Sequence, residues 1–436
     1  MTQADTQGRD SMTDMTRRDV IRTGLALTAG AIVTPAFASR LSGSNDDRIR
    51  VGVIGCGGRG TGAAVNALEA HPSTTIVAMA DLFQDRLDSS HRHLADEEEF
   101  RGRVDVPADR RFVGFDAYER LLALADVQYV VLATPPHFRP IHFDAAVRAG
   151  KHVFMEKPVA TDPAGIRKVI AAAEEADART LSVVAGTQRR HQDNYLELME
   201  RLENGAIGEP VSARCFWNQG GLWVHERTPE YSDMEWQCRN WLYFCWLSGD
   251  HICEQHVHNL DAVNWVMGGH PTKCVGMGGR QVRRDAKYGN IFDHFAIDYE
   301  YANGAHLTSM CRQTDGCQSH VAEHVQGTKG TSTSWHGYSK IEGATSWETH
   351  GSANPYVTEH AALVASIRGE RPRLNEAKRV AESTLTAIMG RMSAYTGQEV
   401  TWEQAMGSVL DLSPTSYSFG PNPTGPVPTP GRTPLI

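Results

Sequence analysis

No apolar run in the 436-residue chain reaches 18 residues. That excludes a multi-pass membrane protein, because a helix needs ~20 apolar residues to cross the hydrocarbon core. Basic residues are outnumbered 43 to 52, and a net charge of -9 leaves no electrostatic footprint for nucleic acid. Cysteine is sparse: there are 8, and none stands in a C-x-x-C pair. A disulfide scaffold, a zinc ribbon and a thioredoxin-type site are excluded together. Charged residues make up only 22% and aromatics 8%, without the charge excess of a disordered chain. What is left is a globular chain with length for two or three domains and a large core.

The first segment does not read as part of that core. Thr16-Arg17-Arg18-Asp19-Val20-Ile21-Arg22 is followed by a weakly apolar stretch and then by Ala36-Phe37-Ala38. Twin arginines, a weak h-region and an A-x-A site form the pattern of a Tat export signal over residues 1–38. Export of this kind carries a folded protein, with any cofactor already loaded, to the periplasm or beyond.

Arg48 to Ile54 is a short β-branched run that leads directly into Gly55-Cys56-Gly57-Gly58-Arg59-Gly60. This is G-x-G-x-x-G between a strand and a helical stretch, Thr61 to Ala70. Gly55 permits the turn, Gly57 lets the backbone approach a pyrophosphate, and Gly60 lets helix and strand pack closely. A second strand, Thr75 to Ala80, ends in Asp81, 26 residues beyond Gly55. The spacing is near the ~20 expected for a carboxylate on the adenosine ribose. A carboxylate there repels a 2′-phosphate, which points to NAD in preference to NADP. Further strands at Arg111–Phe115 and Val127–Ala133, with a helix between them, imply a doubly wound parallel sheet over residues 48–160. Its strands deliver Thr134-Pro135-Pro136-His137 and Glu156-Lys157-Pro158 to the edge where ligands bind. A lysine just past a buried strand has a desolvated stem, which suits it to proton transfer.

From residue 161 to 402 the pattern changes. After helices at Asp162–Glu175 and His191–Glu203 (the latter with Leu196, Met199 and Leu202 inward), alternation predicts six strands. They are Pro210–Asn218, Thr272–Val282, His294–Tyr301, His306–Arg312, Glu323–Gly327 and Ser332–Tyr338. An α+β domain with an open, largely antiparallel sheet follows. Within it, His251 to Trp265 reads as one helix whose His251, Glu254, His258, Asp261 and Trp265 share an arc of roughly 80°. Trp265 in that arc implies that it borders a cleft. Glu254 and His258, at i and i+4, can share a hydrogen bond that orients the imidazole as a general base. A metal site on His251, Glu254 and His258 is the lesser reading, since no sequence-local partner completes the set. Six tryptophans (Trp217, Trp223, Trp236, Trp241, Trp246 and Trp265) fall between residues 217 and 265, flat faces suited to sugar C–H surfaces or to a core. Helices at Thr358–Arg368 and Glu376–Tyr395 end the domain, the second packing back toward the nucleotide domain. Residues 413–436 are a proline-rich arm, expected to lie over a neighbouring subunit or the nucleotide cleft.

In order and spacing these motifs resemble the glucose-fructose oxidoreductase / inositol dehydrogenase / MocA (Gfo/Idh/MocA) family. The anchors are Val51 to Gly60, Gly150-Lys151-His152-Val153-Phe154-Met155-Glu156-Lys157-Pro158, and Glu254, His258 and Asp261 in an acid-x-x-x-His element. Glu254 departs from the family's aspartate. The resemblance implies hydride transfer between a sugar, sugar-derivative or cyclitol hydroxyl carbon and a tightly held NAD. Lys157 and His258 would handle the proton, with Glu254 orienting His258. The implied cofactor contacts are Gly55, Gly57, Gly58, Arg59, Gly60, Asp81, Thr134, Pro135, His137, Glu156, Lys157 and Gln188. The implied substrate contacts are Arg190, Trp241, His251 and Asp261, with no metal. The partner is a small carbohydrate, and a homo-oligomer forms through the second sheet. Two other outcomes of the same fold stay open: a redox-neutral glycosidase using transient oxidation, and a non-catalytic binding protein.

Overall fold

The computed structural model describes residues 47–436, so the twin arginines and the Ala36-Phe37-Ala38 site lie outside the described residues. Six parallel strands build the first sheet: β1 (Ile49–Ile54), β2 (Thr74–Asp81), β3 (Arg111–Val113), β4 (Tyr129–Leu132), β5 (His152–Met155) and β6 (Val183–Ala185). Their order is β3-β2-β1-β4-β5-β6, that of a doubly wound dinucleotide fold. Val51, Val53, Val130 and Val131 are fully enclosed, as strands covered by helices on both faces require. Those helices are α1 (Gly58–Ala70), α2 (Gln84–Asp96), α3 (Ala117–Leu122), α4 (Arg139–Arg148) and α5 (Pro163–Ala178). The boundary expected at residue 160 is therefore too early: α5 and β6 still belong to the parallel layer.

The second sheet has nine strands. They are β7 (Pro210–Gln219), β8 (Lys273–Gly279), β9 (His294–Glu300), β10 (His306–Gln313), β11 (His320–Gly327), β12 (Gly330–Trp335), β13 (Tyr338–Gly343), β14 (Trp347–His350) and β15 (Val400–Thr401). In the order β14-β13-β12-β11-β7-β10-β9-β8-β15 every pairing is antiparallel except β7 with β10. The strand expected at Ser332–Tyr338 is instead two strands joined at His336-Gly337, where Gly337 takes φ 78. Phe295, Ile297 and Tyr299 face inward from β9 as the alternation requires. No helix among the described residues is long and apolar enough to cross a membrane.

Eight further α-helices follow the parallel layer; some pack on this sheet, whereas the one at Pro355–Ile367 packs on the Gly58–Ala70 helix and β6. In chain order they are α6 (Asp193–Glu203), α7 (Asp233–Arg239), α8 (Cys245–Ser248), α9 (His251–Glu254), α10 (Val257–Met267), α11 (Pro355–Ile367), α12 (Ala377–Thr396) and α13 (Trp402–Gly407). α10 packs on β7 and β11, and α12 is wedged between β8, β9 and α5. Gly390 in mid-α12 has a steric cause: a Cβ there would sit 2.1 Å from the Tyr299 hydroxyl. In α6 the inward residues are Asn194, Tyr195, Leu198 and Met199, while Leu196 is 47% exposed. The phase expected from Leu196, Met199 and Leu202 is turned because Tyr195 donates to Glu323 (2.8 Å) and Asn194 to Ser339 (2.9 Å).

The single helix expected over His251–Trp265 is broken between α9 and α10. His256 forces the break: its Nε2 meets Ser309 Oγ on β10 at 2.7 Å, which draws residue 256 toward the sheet. Residues Val257 to Asn264 are buried on all sides, so no arc of α10 is simply solvent-facing.

Burial holds several of the packed histidines neutral. It lowers His142 and His256 to about 3 and His360 well below its ordinary value. The unfolded chain, with histidine near ~6.5, binds more protons than the folded one as pH falls. Stability from these groups is therefore complete above about pH 6.5 and is lost on acidification, by up to about 2 kcal/mol per histidine by pH 5. The urea midpoint should drop clearly between pH 7.5 and 5.0; equal midpoints would contradict the neutral assignment.

Candidate active site

The glycine turn joins β1 to α1. Gly55 takes φ 97, and a Cβ on it would strike the Thr134 backbone nitrogen at 2.5 Å. At Gly60 a Cβ would lie 1.7 Å from the Gly55 carbonyl oxygen, so α1 can start here only on glycine. Gly57 and Gly58 differ: a Cβ on either meets nothing within 4 Å. The protein itself does not fill that space, and no acidic residue occupies the first turn of α1. A cradle of this kind at the N-terminus of a 13-residue helix fits a pyrophosphate. At the end of β2, Asp81 accepts Cys56 N at 2.6 Å and Phe83 N at 2.8 Å. Burial pushes its carboxyl up, against the pull of these two amides and Arg86. Its remaining lone pairs can take ribose hydroxyls.

Gly55, Gly57, Gly58, Arg59, Asp81, Thr134 and Pro135 share one cleft of about 1230 Å³, above the ~1,000 Å³ that bounds most small-ligand pockets. The second domain roofs it with Trp223, His225, Tyr231, Arg239 and Trp241. Arg239 pins the roof, reaching Asp85 at 3.1 Å and lying 3.9 Å from the Phe83 ring centre. The proline-rich arm lies on its own chain. Phe419 stacks on Phe83 at 5.9 Å and meets Phe115 at 5.4 Å, both wall residues of the cleft.

Two strand-end loops meet beyond the glycine turn. Arg139 ties them, donating to Glu156 O at 2.8 Å and to Thr134 O at 2.7 Å. Glu156 reaches back to Arg59 Nε at 2.5 Å, in room that Gly186 leaves open, since a Cβ there would sit 2.7 Å from the Glu156 carboxylate. The next residue, Lys157, projects to the second domain. Its Nζ donates to the Glu254 carbonyl at 2.5 Å and lies 3.3 Å from the Glu254 carboxylate. Glu254 thus orients Lys157 and not His258, because the break after α9 takes the two residues out of helical register. His258 stacks instead on Trp217, ring centres 5.7 Å apart and 24° from parallel. Burial, then the nearby Lys157, Arg189 and Arg59, hold its imidazole well below its usual pKa. Its Nδ1 is buried without a partner.

Other expected contacts lie elsewhere. His137 is buried under the arm, its Nε2 2.8 Å from the Tyr417 hydroxyl, and burial lowers it to about 4. Gln188 donates to Tyr356 at 3.2 Å. His251, 0% exposed, pairs with Asp250 at 2.9 Å, so the set His251, Glu254 and His258 is not assembled. Among the described residues no cluster of three or more His, Cys, Asp or Glu is placed to hold a metal. Asp261 is taken by Arg190 at 2.8 Å, Ser383 at 2.7 Å and Arg379 at 3.4 Å. Burial works to raise its pKa, but the two arginines keep it low. These pairs buttress the site from behind. Of the expected substrate contacts, only Trp241 lines the cleft. Arg139, Arg239 and Tyr231 went unread because their roles come from contacts between segments far apart in the chain.

Residues 49–184 match the profile of the GFO/IDH/MocA oxidoreductase family, NAD-binding Rossmann fold, and residues 195–333 match the GFO/IDH/MocA C-terminal domain. The chain is 33% identical over 166 residues to dTDP-3,4-didehydro-2,6-dideoxy-alpha-D-glucose 3-reductase of Actinomadura kijaniata, covering 38% of this chain and 44% of that one. It is 30% identical over 219 residues to inositol 2-dehydrogenase 1 of Saccharopolyspora erythraea, covering 50% and 54%. The matches therefore span about half the length of these relatives. The fold is shared with an aldose-aldose oxidoreductase from Caulobacter crescentus complexed with glycerol: TM-score 0.63, 18% identity, 81% of this chain and 99% of that one.

The glycines separate two kinds of damage. Gly57→Ala should fold with nearly unchanged melting temperature yet bind NAD at least tenfold more weakly, roughly the 1.4 kcal/mol of one decade. Gly60→Ala should lower the melting temperature as well. Calorimetric NAD titration and thermal unfolding of both variants check this; equal melting temperatures would undo the distinction.

Proposed function

The chain belongs to the GFO/IDH/MocA oxidoreductase family, and from that premise we propose that it transfers a hydride between a hydroxyl carbon of a sugar, sugar derivative or cyclitol and a tightly bound NAD. One observation carries the reading: Lys157, leaving the end of β5, is held by both the carbonyl and the carboxylate of Glu254 beside the neutral ring of His258. NAD when bound supplies the hydride acceptor. Lys157 donates a hydrogen bond to the substrate hydroxyl oxygen and stabilises the negative charge that develops there. His258 is neutral, and its Nε2, neither sealed nor bonded within the protein, takes the hydroxyl proton. Glu254 fixes the ammonium in place, and Trp217 fixes the plane of the imidazole. Asp81 supports NAD over NADP.

Three further parts belong to this reading. The roof pinned by Arg239 and the arm braced on Phe83 and Phe115 support slow release of the dinucleotide. The Tat-type segment supports export of the loaded protein, with the hydride returned to a second carbonyl compound on the same cofactor. The outer face of the second sheet carries Val275, Met277 and Met310, exposed by 52%, 74% and 40%, which supports self-association through that face.

Lys157→Ala and His258→Ala should each retain bound nucleotide while turnover falls ~10²-fold or more, read as absorbance at 340 nm with a sugar panel. Either variant with near wild-type turnover would remove that residue from the mechanism, and glycoside cleavage without net NADH would replace the oxidation by a redox-neutral one. Exhaustive dialysis followed by denaturation should release close to one NAD per chain, and light scattering of the same sample should give a mass above one chain. Protein that emerges empty, or carries mainly NADP, would refute the cofactor part.

A further inference from the structure

Beside Lys157 and Glu254 stands a residue whose chemistry is set from two directions. Gln255 lies in the break between α9 and α10 and is half-buried, while Cys253 and His256 on either side are enclosed. Its Oε1 accepts from Gln219 Nε2 at 3.2 Å and from Gln313 Nε2. These two glutamines sit opposite each other at the ends of the parallel pair β7 and β10.

A side-chain amide can face either way, so its orientation depends on its neighbours. Here each neighbour is fixed by a group that can only donate. Trp217 Nε1 donates to Gln219 Oε1 at 2.7 Å, which leaves Gln219 Nε2 to donate onward. The Arg283 guanidinium donates to Gln313 Oε1, which leaves Gln313 Nε2 to donate onward. Both lines of donors converge on Gln255 Oε1. The amide is thereby locked with oxygen inward and NH₂ outward, and Nε2 has no protein partner among the described residues and is not sealed from solvent.

The head of one line is Trp217, the ring on which His258 stacks, and the residue preceding Gln255 is the partner of Lys157. Gln255 is thus one residue along the chain from the partner of Lys157 and joined through Gln219 and Trp217 to the ring that holds His258. We infer that Gln255 is a specificity-determining residue, a fixed donor to an oxygen of the carbohydrate one or two carbons from the one oxidised. This rests on reading the site as that of a carbohydrate oxidoreductase. The class selected is a sugar or cyclitol with an acceptor oxygen at that position, and its deoxy counterpart is discriminated against, since a site built around a hydrogen bond rejects the analogue that lacks it.

The test uses the NAD-loaded full chain and calorimetric titration with D-glucose, myo-inositol and levoglucosan, together with monodeoxy analogues of whichever is bound. In Gln255→Glu the carboxylate still accepts from Gln219 and Gln313, so the relay survives and only the outward face changes from donor to acceptor. Gln255→Met removes the donor without adding charge near Glu254. Both variants should keep wild-type NAD content and bind the sugar roughly tenfold to a hundredfold more weakly. One deoxy analogue, already lacking the partner oxygen, should bind wild type and both variants alike. Unchanged sugar affinity in both variants, losses equal for every analogue, or wild-type protein that binds none of the three sugars would overturn the proposal. Binding that follows this pattern without NADH formation would leave Gln255 in its role and reject the oxidoreductase reading instead.

Discussion

The contact between Lys157 and Glu254 is the joint on which the site turns. It is the place where a strand end of the parallel sheet touches the second domain next to the proton-transfer histidine. Everything that sets Lys157 lies behind it: the enclosed strand β5, Arg139 holding the two loops together, and Glu156 tied back to Arg59. Everything that sets Glu254 lies behind that: Asp250 caps α9 by accepting His251 N at 2.6 Å, while its other oxygen takes Phe292 N at 2.7 Å and the Tyr395 hydroxyl at 2.6 Å. An aspartate with φ 68 is tolerated because those donors over-determine its position. The glycine turn is linked to the same joint through Arg59. A shift of either domain would therefore be felt at the proton-transfer group.

The charges around the joint follow a pattern. Three of the buried acids come with arginines: Asp261 with Arg190 and Arg379, Glu323 with Arg189, and Glu156 with Arg59. Leaving one member of such a pair buried alone is costly, so these pairs act as fixed supports. Histidine, which could have been charged, is kept neutral by burial at 137, 256 and 258. A neutral ring is in the form that can accept a proton, and burial and the fixed cations keep it in that form by lowering its affinity. That is how a base can be present without being consumed by solvent protons.

The nucleotide half was legible because its signals are local. A strand, a glycine turn, a helix and an acid at the next strand end are all read within one stretch of chain, and Gly55, Gly57, Gly58 and Asp81 come together along one cleft as that stretch implies. The helix after residue 250 was legible in composition but not in shape. Its wheel joined Glu254 to His258, whereas the bond from His256 to Ser309, a residue 53 positions away, breaks the helix. Asp261 and Arg190 were placed at the substrate by the family resemblance; in the fold they pair with each other. The turn at His336-Gly337 had its signal in the glycine, which the alternation on either side obscured. The three glutamines that converge at residue 255 carry no sequence signal, since their meaning depends on which donors stand at the far ends.

β7 lies at the middle of the second sheet, and both strands that flank it, β10 and β11, come later in the chain. After Gln219 the next strand made, β8, does not pair with β7 at all; it joins β9 and β15. During synthesis β7 therefore waits with both edges unpaired until His306 and beyond have been made. The sheet cannot start from its earliest strand; β8, β9 and β10 pair in succession, β7 is then closed between β10 and β11, and the β8 edge is covered only when Val400 arrives. Pairing across such separations is slow and leaves open edges exposed meanwhile. The order in which the chain emerges thus makes the closing of the central strand a late event, with early truncation leaving a strand suited to pairing with the wrong neighbour.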